Sequence, residues 1–212
     1  MNTKNDGLLI SIEGIDGSGK SSLSQGLAQK CKNLGYPLLL TKEPGGTPFG
    51  MQLRPLLNYQ TEPLDPKAEF LCFAADRAQH FSCVILPALK ERKIVISDRM
   101  ADSSLVYQGY GRGLDKDIIN LVNNWAMQNC KPHLVFYLKI TADEALKRIA
   151  HRNKEITSFE KEYSFIKTIS EGFDTAFANR KEVITFDATK EPSILIEEAF
   201  AVIQDYYKKH LL

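Results

Sequence analysis

A three-layer α/β fold on a five-stranded parallel sheet is predicted by three features of the sequence. Short apolar runs recur at residues 8–12, 38–40, 94–96, 134–138 and 183–186. Runs this short and continuous suit strands buried on both faces of a parallel sheet. The segments between them carry apolar residues at helical spacing. Finally, the first run passes straight into a glycine-rich loop and a helix, an order that places a ligand at the C-terminal edge of the sheet.

The first strand, Leu8-Leu9-Ile10-Ser11-Ile12, leads into Glu13-Gly14-Ile15-Asp16-Gly17-Ser18-Gly19-Lys20-Ser21-Ser22. Gly14 to Ser21 fit the phosphate-loop pattern G-x-x-x-x-G-K-[ST] in full. Glycines let backbone N–H groups close around phosphate oxygens, Lys20 reaches the outer phosphates, and the Ser21 hydroxyl can ligate Mg²⁺. A helix with apolar residues Leu23, Leu27, Cys31 and Leu34 follows and ends at Gly35, so its N-terminus points at the bound anion. A Gly/Ser-rich turn could match by chance, but the strand before it and the helix after it favour a nucleotide-phosphate site.

With 212 residues, 43% hydrophobic content and a net charge of +1, the chain is expected to form one domain over residues 1–212. Near-neutrality argues against nucleic acid as the main partner. Cys31, Cys72, Cys83 and Cys130 lack metal-ligand spacing and are read as reduced core thiols. No signal-peptide pattern appears at Met1 to Asp6, and no apolar run approaches the roughly 18 residues of a membrane span. The expectation is a cytoplasmic protein without a membrane partner.

The second strand, Leu38-Leu39-Leu40, is expected to be buried on both faces, and Lys42 to Pro48, with two prolines and two glycines, must be a loop at the ligand edge. A short helical pattern with Arg54 before Pro55 follows. Asp65-Pro66 opens a long helix to about Lys90. Leu71, Ala75, Ala78, Ser82 and Ile85 share one face of it, and Phe70, Phe73, Arg77 and Val84 lie near the opposite one. Phe73 and Arg77, one turn apart, could offer a stacking ring and a hydrogen-bonding fork; spacing alone leaves open a core Phe beside a surface Arg.

The third strand ends in the charged pair Asp98-Arg99, where an α/β sheet binds substrates. A polar loop with Asp102, Ser103, Ser104, Tyr107 and Gln108 is expected next. Asp115 then caps a helix whose Ile118, Leu121, Val122 and Trp125 are read as core packing. After the fourth strand, Thr141-Ala142-Asp143-Glu144 is a capping box. Arg148, His151 and Arg152 end the next helix, either complementing its dipole or forming part of a cationic lid over about 148–160. A helix from about Phe159 to Ala178, the fifth strand and a last helix with Leu195, Ala199, Val202, Ile203 and Tyr206 on one stripe complete the chain.

The phosphate loop, Glu43-Pro44-Gly45-Gly46, Phe73-Ala74-Ala75-Asp76-Arg77, Asp98-Arg99 and Ser103-Ser104-Leu105-Val106-Tyr107-Gln108-Gly109 occur in this order. Together they strongly resemble the thymidylate kinase family, from about Leu8 into the C-terminal helix. The resemblance implies a P-loop kinase fold, transfer of the ATP γ-phosphoryl to thymidine monophosphate (dTMP) with Mg²⁺ in dTTP synthesis, and a homodimer. It also implies an ATP site at Gly14, Ile15, Asp16, Gly17, Ser18, Gly19, Lys20, Ser21, Ser22 and Arg148. Phe73 matches the ring that stacks on thymine, Arg77 and Gln108 the groups that hydrogen-bond the base, and Arg54 and Arg99 the acceptor-phosphate ligands. Ser104, Glu43 and Pro44 fall in the same substrate-binding set. Asp16 matches the carboxylate near the sugar 3′-hydroxyl. Asp98, charged at the end of an apolar strand, is expected to help orient Mg²⁺ with Ser21. Phosphoryl transfer needs alignment and cations more than covalent chemistry, and Lys20, Arg99, Asp16 and Arg152 are the catalytic set so implied.

Some members of the family carry an arginine inside the phosphate loop. Here the variable positions are Ile15, Asp16, Gly17 and Ser18, which points to the bacterial type whose catalytic arginine lies in the lid. Three positions depart from the family's pattern: Lys42 stands for an arginine, Met100 for an aromatic or His, and Thr157-Ser158 for Asp-Arg. Two other readings compete, a different nucleoside-monophosphate or deoxynucleoside kinase and a nucleotide-dependent switch. A GTPase-type switch would need a guanine-reading Asn-Lys-x-Asp motif, which the sequence lacks.

Overall fold

The structure is a computed structural model, and it describes residues 7–58, 62–151 and 163–210. Strands β1 (Leu8–Glu13), β2 (Leu38–Lys42), β3 (Ile94–Asp98), β4 (Leu134–Lys139) and β5 (Val183–Asp187) form one sheet in the order β2-β3-β1-β4-β5. Every neighbouring pair is parallel, as the strand-helix alternation requires. Helices connect them: α1 (Lys20–Asn33), α2 (Pro48–Asn58), α3 (Pro66–His80), α4 (Leu86–Lys90), α5 (Ala101–Ser104), α6 (Lys116–Ala126), α7 (Ala142–Ala150), α8 (Tyr163–Phe177) and α9 (Pro192–His210).

Alternate residues of β1 serve two apolar clusters. Leu8, Ile10 and Ile12 join Leu23, Leu27, Phe173, Ala199 and Ile203, while Leu9 joins Phe81, Ile85, Leu89, Val95 and Met127. Burial on both sheet faces is therefore real for β1. It is not for β2, whose Leu38 and Leu39 are half-buried and Leu40 exposed, because β2 is an edge strand. Register fixes the functional edge: Lys42 lies beside Asp98, and Asp98 beside Ile12. The loops after β1, β2 and β3 thus leave the sheet at one level.

Several local expectations change. The helix that Asp65 caps by accepting from Lys67 N at 2.9 Å runs from α3 through a π-helical turn, Phe81–Ile85, into α4. Its inward side is Phe70, Ala74, Arg77 and Phe81, whereas Leu71 is exposed. Residues 101–111, expected to be a polar loop, are helical, α5 continuing into a π-helical segment over Leu105–Gly111. Their polar side chains turn inward onto buried partners, which makes a helix possible where composition suggests a loop. Ile118, Leu121 and Trp125 are not core: they are 58%, 70% and 80% exposed. Cys31 and Cys130 are buried, but Cys72 is half-buried and Cys83 exposed, and all four are free. Thr141 accepts from Glu144 N at 3.3 Å, yet the Glu144 carboxylate takes Arg148 Nε at 3.3 Å, so the capping interaction is one-sided. Met100, one of the departures from the family's pattern, is buried in the second apolar cluster.

Candidate active site

A cleft of about 1280 Å³ opens along the C-terminal edge of the sheet. Asp16 to Ser22 line one part of it with Arg148 and the 188–192 turn; Glu43, Pro44, Arg54, Phe73, Arg77, Ser104 and Gln108 line the rest; Asp98 and Arg99 also line it. Gly14 and Ile15 do not line the cleft, and Arg152 lies outside the described residues. The loop leaves no room for side chains where α7 crosses it: a Cβ on Gly17 (φ +82°) would sit 2.5 Å from Ala145 O.

Lys20 is buried, and its ammonium donates to Ile15 O at 2.7 Å with Asp16 Oδ1 3.9 Å away. Burial lowers its pKa to about 8; the Arg99 charge adds to this, and Asp16, Asp98 and Glu13 act against it. Ser21 Oγ donates to Asp98 Oδ2 at 2.6 Å. This pairs a hydroxyl and a carboxylate oxygen beside the phosphate loop, the hard donors that suit Mg²⁺ shared with nucleotide phosphates. No group of three or more His, Cys, Asp or Glu among the described residues could hold a metal by itself.

Arg99 is the hub. It has a left-handed backbone, φ +72°, which costs a non-glycine residue about 1–3 kcal/mol and persists only when the surroundings enforce it. They do: Arg99 N donates to Ile12 O at 3.0 Å, Ser97 Oγ donates to Arg99 O at 2.7 Å, and Met100 N donates to Glu13 Oε1 at 2.8 Å. The guanidinium reaches Gly14 O (3.0 Å), Ser103 Oγ (3.0 Å), Asp16 Oδ1 (2.6 Å) and Tyr107 OH (3.1 Å). Burial would raise the Asp16 pKa, but the Arg99 and Lys20 charges overcome it and hold the carboxyl well below the usual range. Asp16 is therefore an ionised acceptor between two cations.

Beneath this hub lies Glu13, fully buried, accepting from Ser11 Oγ and Ser103 Oγ at 2.6 Å each. Burial and the Asp102 charge push it up to about 7 against those hydrogen bonds and Arg99. Sequence reading passed over Glu13 as a site residue, although an acid closing an apolar strand is the same signal that marked Asp98.

On the other side Arg77 is buried. Its Nη2 pairs with Glu43 Oε2 at 2.8 Å, and Nη1 donates to Ser104 Oγ at 3.2 Å and Asn123 Oδ1 at 2.7 Å. Glu43 also meets His80 Nδ1 at 3.1 Å, and His80 Nε2 meets Thr41 Oγ1 at 2.6 Å. Burial would raise the Glu43 pKa, and Arg77 and His80 lower it below the usual value. Gln108 Nε2 donates to Glu69 Oε1 at 2.8 Å. Arg54 Nη1 donates to Pro44 O at 2.6 Å, and Arg148 Nη1 donates to Ala188 O at 2.9 Å. Asp76 accepts from Gly45 N at 3.2 Å, and burial with the Glu43 charge raises it to about 6. A Cβ on Gly50 would fall 1.8 Å from Asp76 Oδ1, so only glycine lets α2 come this close. His80, Glu69 and Asn123 gave no sequence signal, being single polar residues within helical patterns.

A sequence model of the family described as thymidylate kinase matches residues 12–199. The chain belongs to the thymidylate kinase family. A thymidylate kinase of Halothermothrix orenii is 48% identical over 142 residues, 67% of this chain and 69% of the relative. Those of Bacillus pumilus and Nitratidesulfovibrio vulgaris are 36% and 38% identical, covering 96% and 93% of this chain and 98% and 96% of their own. In this member of the family, the five sequence blocks meet in one cleft.

Arg99→Lys tests the hub. A lysine keeps the charge but cannot serve Gly14 O, Ser103, Asp16 and Tyr107 from one planar group. A fall in kcat on the order of 10²-fold is expected, measured by steady-state ADP release. Full activity would make the Asp16–Arg99 contact an ion pair of structural importance only.

Proposed function

We propose that the chain transfers the γ-phosphoryl of ATP to dTMP in this cleft, with the donor bound by the phosphate loop and the acceptor beside Phe73, Arg77 and Gln108. One observation carries the reading: the phosphate-loop residues Asp16 to Ser21 and a pocket with an aromatic ring and a buried guanidinium share a single cleft that Arg99 also lines. Transfer needs both substrates aligned with cations between them.

The contacts and the family resemblance together support the following roles. Lys20 and the loop N–H groups hold the donor phosphates. Ser21 and Asp98 would hold Mg²⁺, which would supply charge neutralisation on the phosphates. Asp16, kept ionised by Arg99, accepts from the sugar 3′-hydroxyl. Arg99 and Arg54 bind the acceptor phosphate, and Phe73 stacks on the base while Arg77 and Gln108 hydrogen-bond it, with Glu43, Pro44 and Ser104 shaping that pocket. Arg148, tied to Ala188 O where the 188–192 turn meets the cleft, contacts the nucleotide. The catalytic arginine is Arg152, in a lid over about 148–160 of one domain spanning 1–212.

Homodimerisation is part of the same reading. Leu71 on α3 and Ile118, Leu121 and Trp125 on α6 are large, apolar and exposed, and α3 packs on α6. An apolar face of this kind favours burial against a copy of itself. No helix among the described residues is long and apolar enough to cross a membrane.

The test is a coupled ADP-release assay across thymidine, deoxyuridine, deoxycytidine, deoxyguanosine and adenosine monophosphates. The highest kcat/KM is expected with dTMP. A clear preference for another monophosphate, or ATP hydrolysis indifferent to all of them, would overturn the reading.

A further inference from the structure

Helix α6 turns one polar side chain inward. Asn123 is 3% exposed and sits on the side of α6 that carries buried Ile119 and Ala126. Its Oδ1 accepts from Arg77 Nη1 at 2.7 Å and its Nδ2 donates to Ala101 O at 3.3 Å. Asparagine combines in one short group the acceptor that a guanidinium needs and the donor that a backbone carbonyl needs. Asn123 is not among the residues that line the cleft, whereas Arg77 is.

The Arg77 guanidinium is held from three sides. Glu43, on the loop after β2, supplies the charge at 2.8 Å; Ser104, at the end of α5, accepts at 3.2 Å; Asn123 makes the shortest of the three contacts. A carboxylate alone leaves a planar cation free to pivot, and acceptors on three separate elements fix its plane. Replacing Asn123 with an apolar residue would leave a buried guanidinium N–H short of an acceptor, which is costly where water cannot enter.

We propose that Asn123 is a positioning residue of the acceptor site: it does not touch substrate, but sets the angle at which Arg77 presents its guanidinium to the acceptor's base. This rests on the reading of Arg77 as a base-binding group, so the experiment separates the two. Asn123→Ala, Arg77→Ala and the double variant are compared for the KM of dTMP, the KM of ATP, kcat and melting temperature. Asn123→Ala is expected to raise the KM of dTMP roughly tenfold with the KM of ATP unchanged within twofold. Arg77→Ala is expected to raise the KM of dTMP further, and the double variant to match Arg77→Ala alone, because Asn123 acts only through Arg77. Asn123→Asp, which keeps the acceptor oxygen, is expected to recover most of the dTMP affinity; a merely structural role predicts no such recovery.

If Arg77→Ala leaves the KM of dTMP unchanged, the base-binding reading fails and takes this inference with it. If Arg77→Ala raises it but Asn123→Ala does not, or if the two effects add in the double variant, the positioning role is overturned while the reading of Arg77 stands. Should Asn123→Ala fail to fold, Asn123→Ser, which keeps a short hydroxyl, replaces it under the same criteria.

Discussion

Lys20→Ala is expected to lower kcat by about 10³-fold or more without lowering the melting temperature. Lys20 fills no apolar cluster: its one short bond is to Ile15 O at 2.7 Å, and burial, aided by the Arg99 charge, lowers its pKa to about 8. An ammonium so placed is held by the fold at a cost, and the phosphates of ATP supply the missing counter-charge. The pH dependence follows with a definite sign. Between about 8 and the ordinary lysine value the unfolded chain binds the proton and the folded chain does not, so this group makes stability rise with pH across that window. Below about 8 both states are protonated and the whole destabilising contribution is present, so Lys20→Ala should melt at the same temperature as the parent at pH 7, or slightly higher. In the free enzyme the same titration should make kcat/KM for ATP fall above about pH 8, while kcat, which reports the bound complex, holds to higher pH. A near-parental rate with unchanged melting would refute the assignment. A large loss of melting temperature would mean that Lys20 supports the fold instead.

The phosphate loop is legible in sequence because its chemistry is local: Gly17 and Gly19 have positive φ, and Lys20 acts from the same short segment. The five strands are legible because each is an unbroken apolar run. Sheet order is not, and this explains β2: Leu38-Leu39-Leu40 has the composition of a doubly buried strand, but two crossovers send it to the sheet edge, where Leu40 is exposed. The stripe on α6 shows the complementary limit. Periodicity identifies Ile118, Leu121 and Trp125 as one apolar face, but says nothing about what covers it, and nothing among the described residues buries it. The acceptor side was least legible from residues alone. Arg77 acquires its place from Glu43, Ser104 and Asn123, which lie far from it in sequence, and the left-handed φ of Arg99 is enforced by Ile12 and Glu13 through long-range contacts, with Ser97 adding a local one. Family resemblance named Phe73, Arg77 and Arg99, with Glu43, Ser104 and Asp16 among their neighbours; it did not reach Asn123 on Arg77 or Glu13 beneath Arg99.

The second large effect is expected from Arg148, on α7, and from Arg152, which follows it in sequence outside the described residues. None of the variable positions of the phosphate loop, Ile15 to Ser18, is cationic, and Arg99, anchored on Asp16, Tyr107, Ser103 and Gly14 O, is placed on the acceptor side. Charge that builds on the transferred phosphoryl group therefore calls for a further arginine on the donor side, a role worth about 10³-fold or more in kcat. Arg148 and Arg152 are four residues apart in sequence, but they are not equivalent. Arg148 is already tethered: Nη1 donates to Ala188 O at 2.9 Å, and Nε to Glu144 at 3.3 Å. A side chain fixed to the 188–192 turn suits steady contact with the nucleotide, so Arg148→Ala should chiefly raise the KM of ATP, by several-fold, with a smaller fall in kcat. Arg152→Ala should lower kcat by about 10³-fold with little change in melting temperature or in the KM of dTMP. Charge complementation of the helix dipole, worth under about 1 kcal/mol at an exposed end, predicts almost no kinetic effect from either. Separate kcat measurements on the two variants decide between these outcomes: if both stay within a few-fold of the parent, the arginine does not come from this segment and the transition-state charge is carried by Lys20, Arg99 and the metal alone.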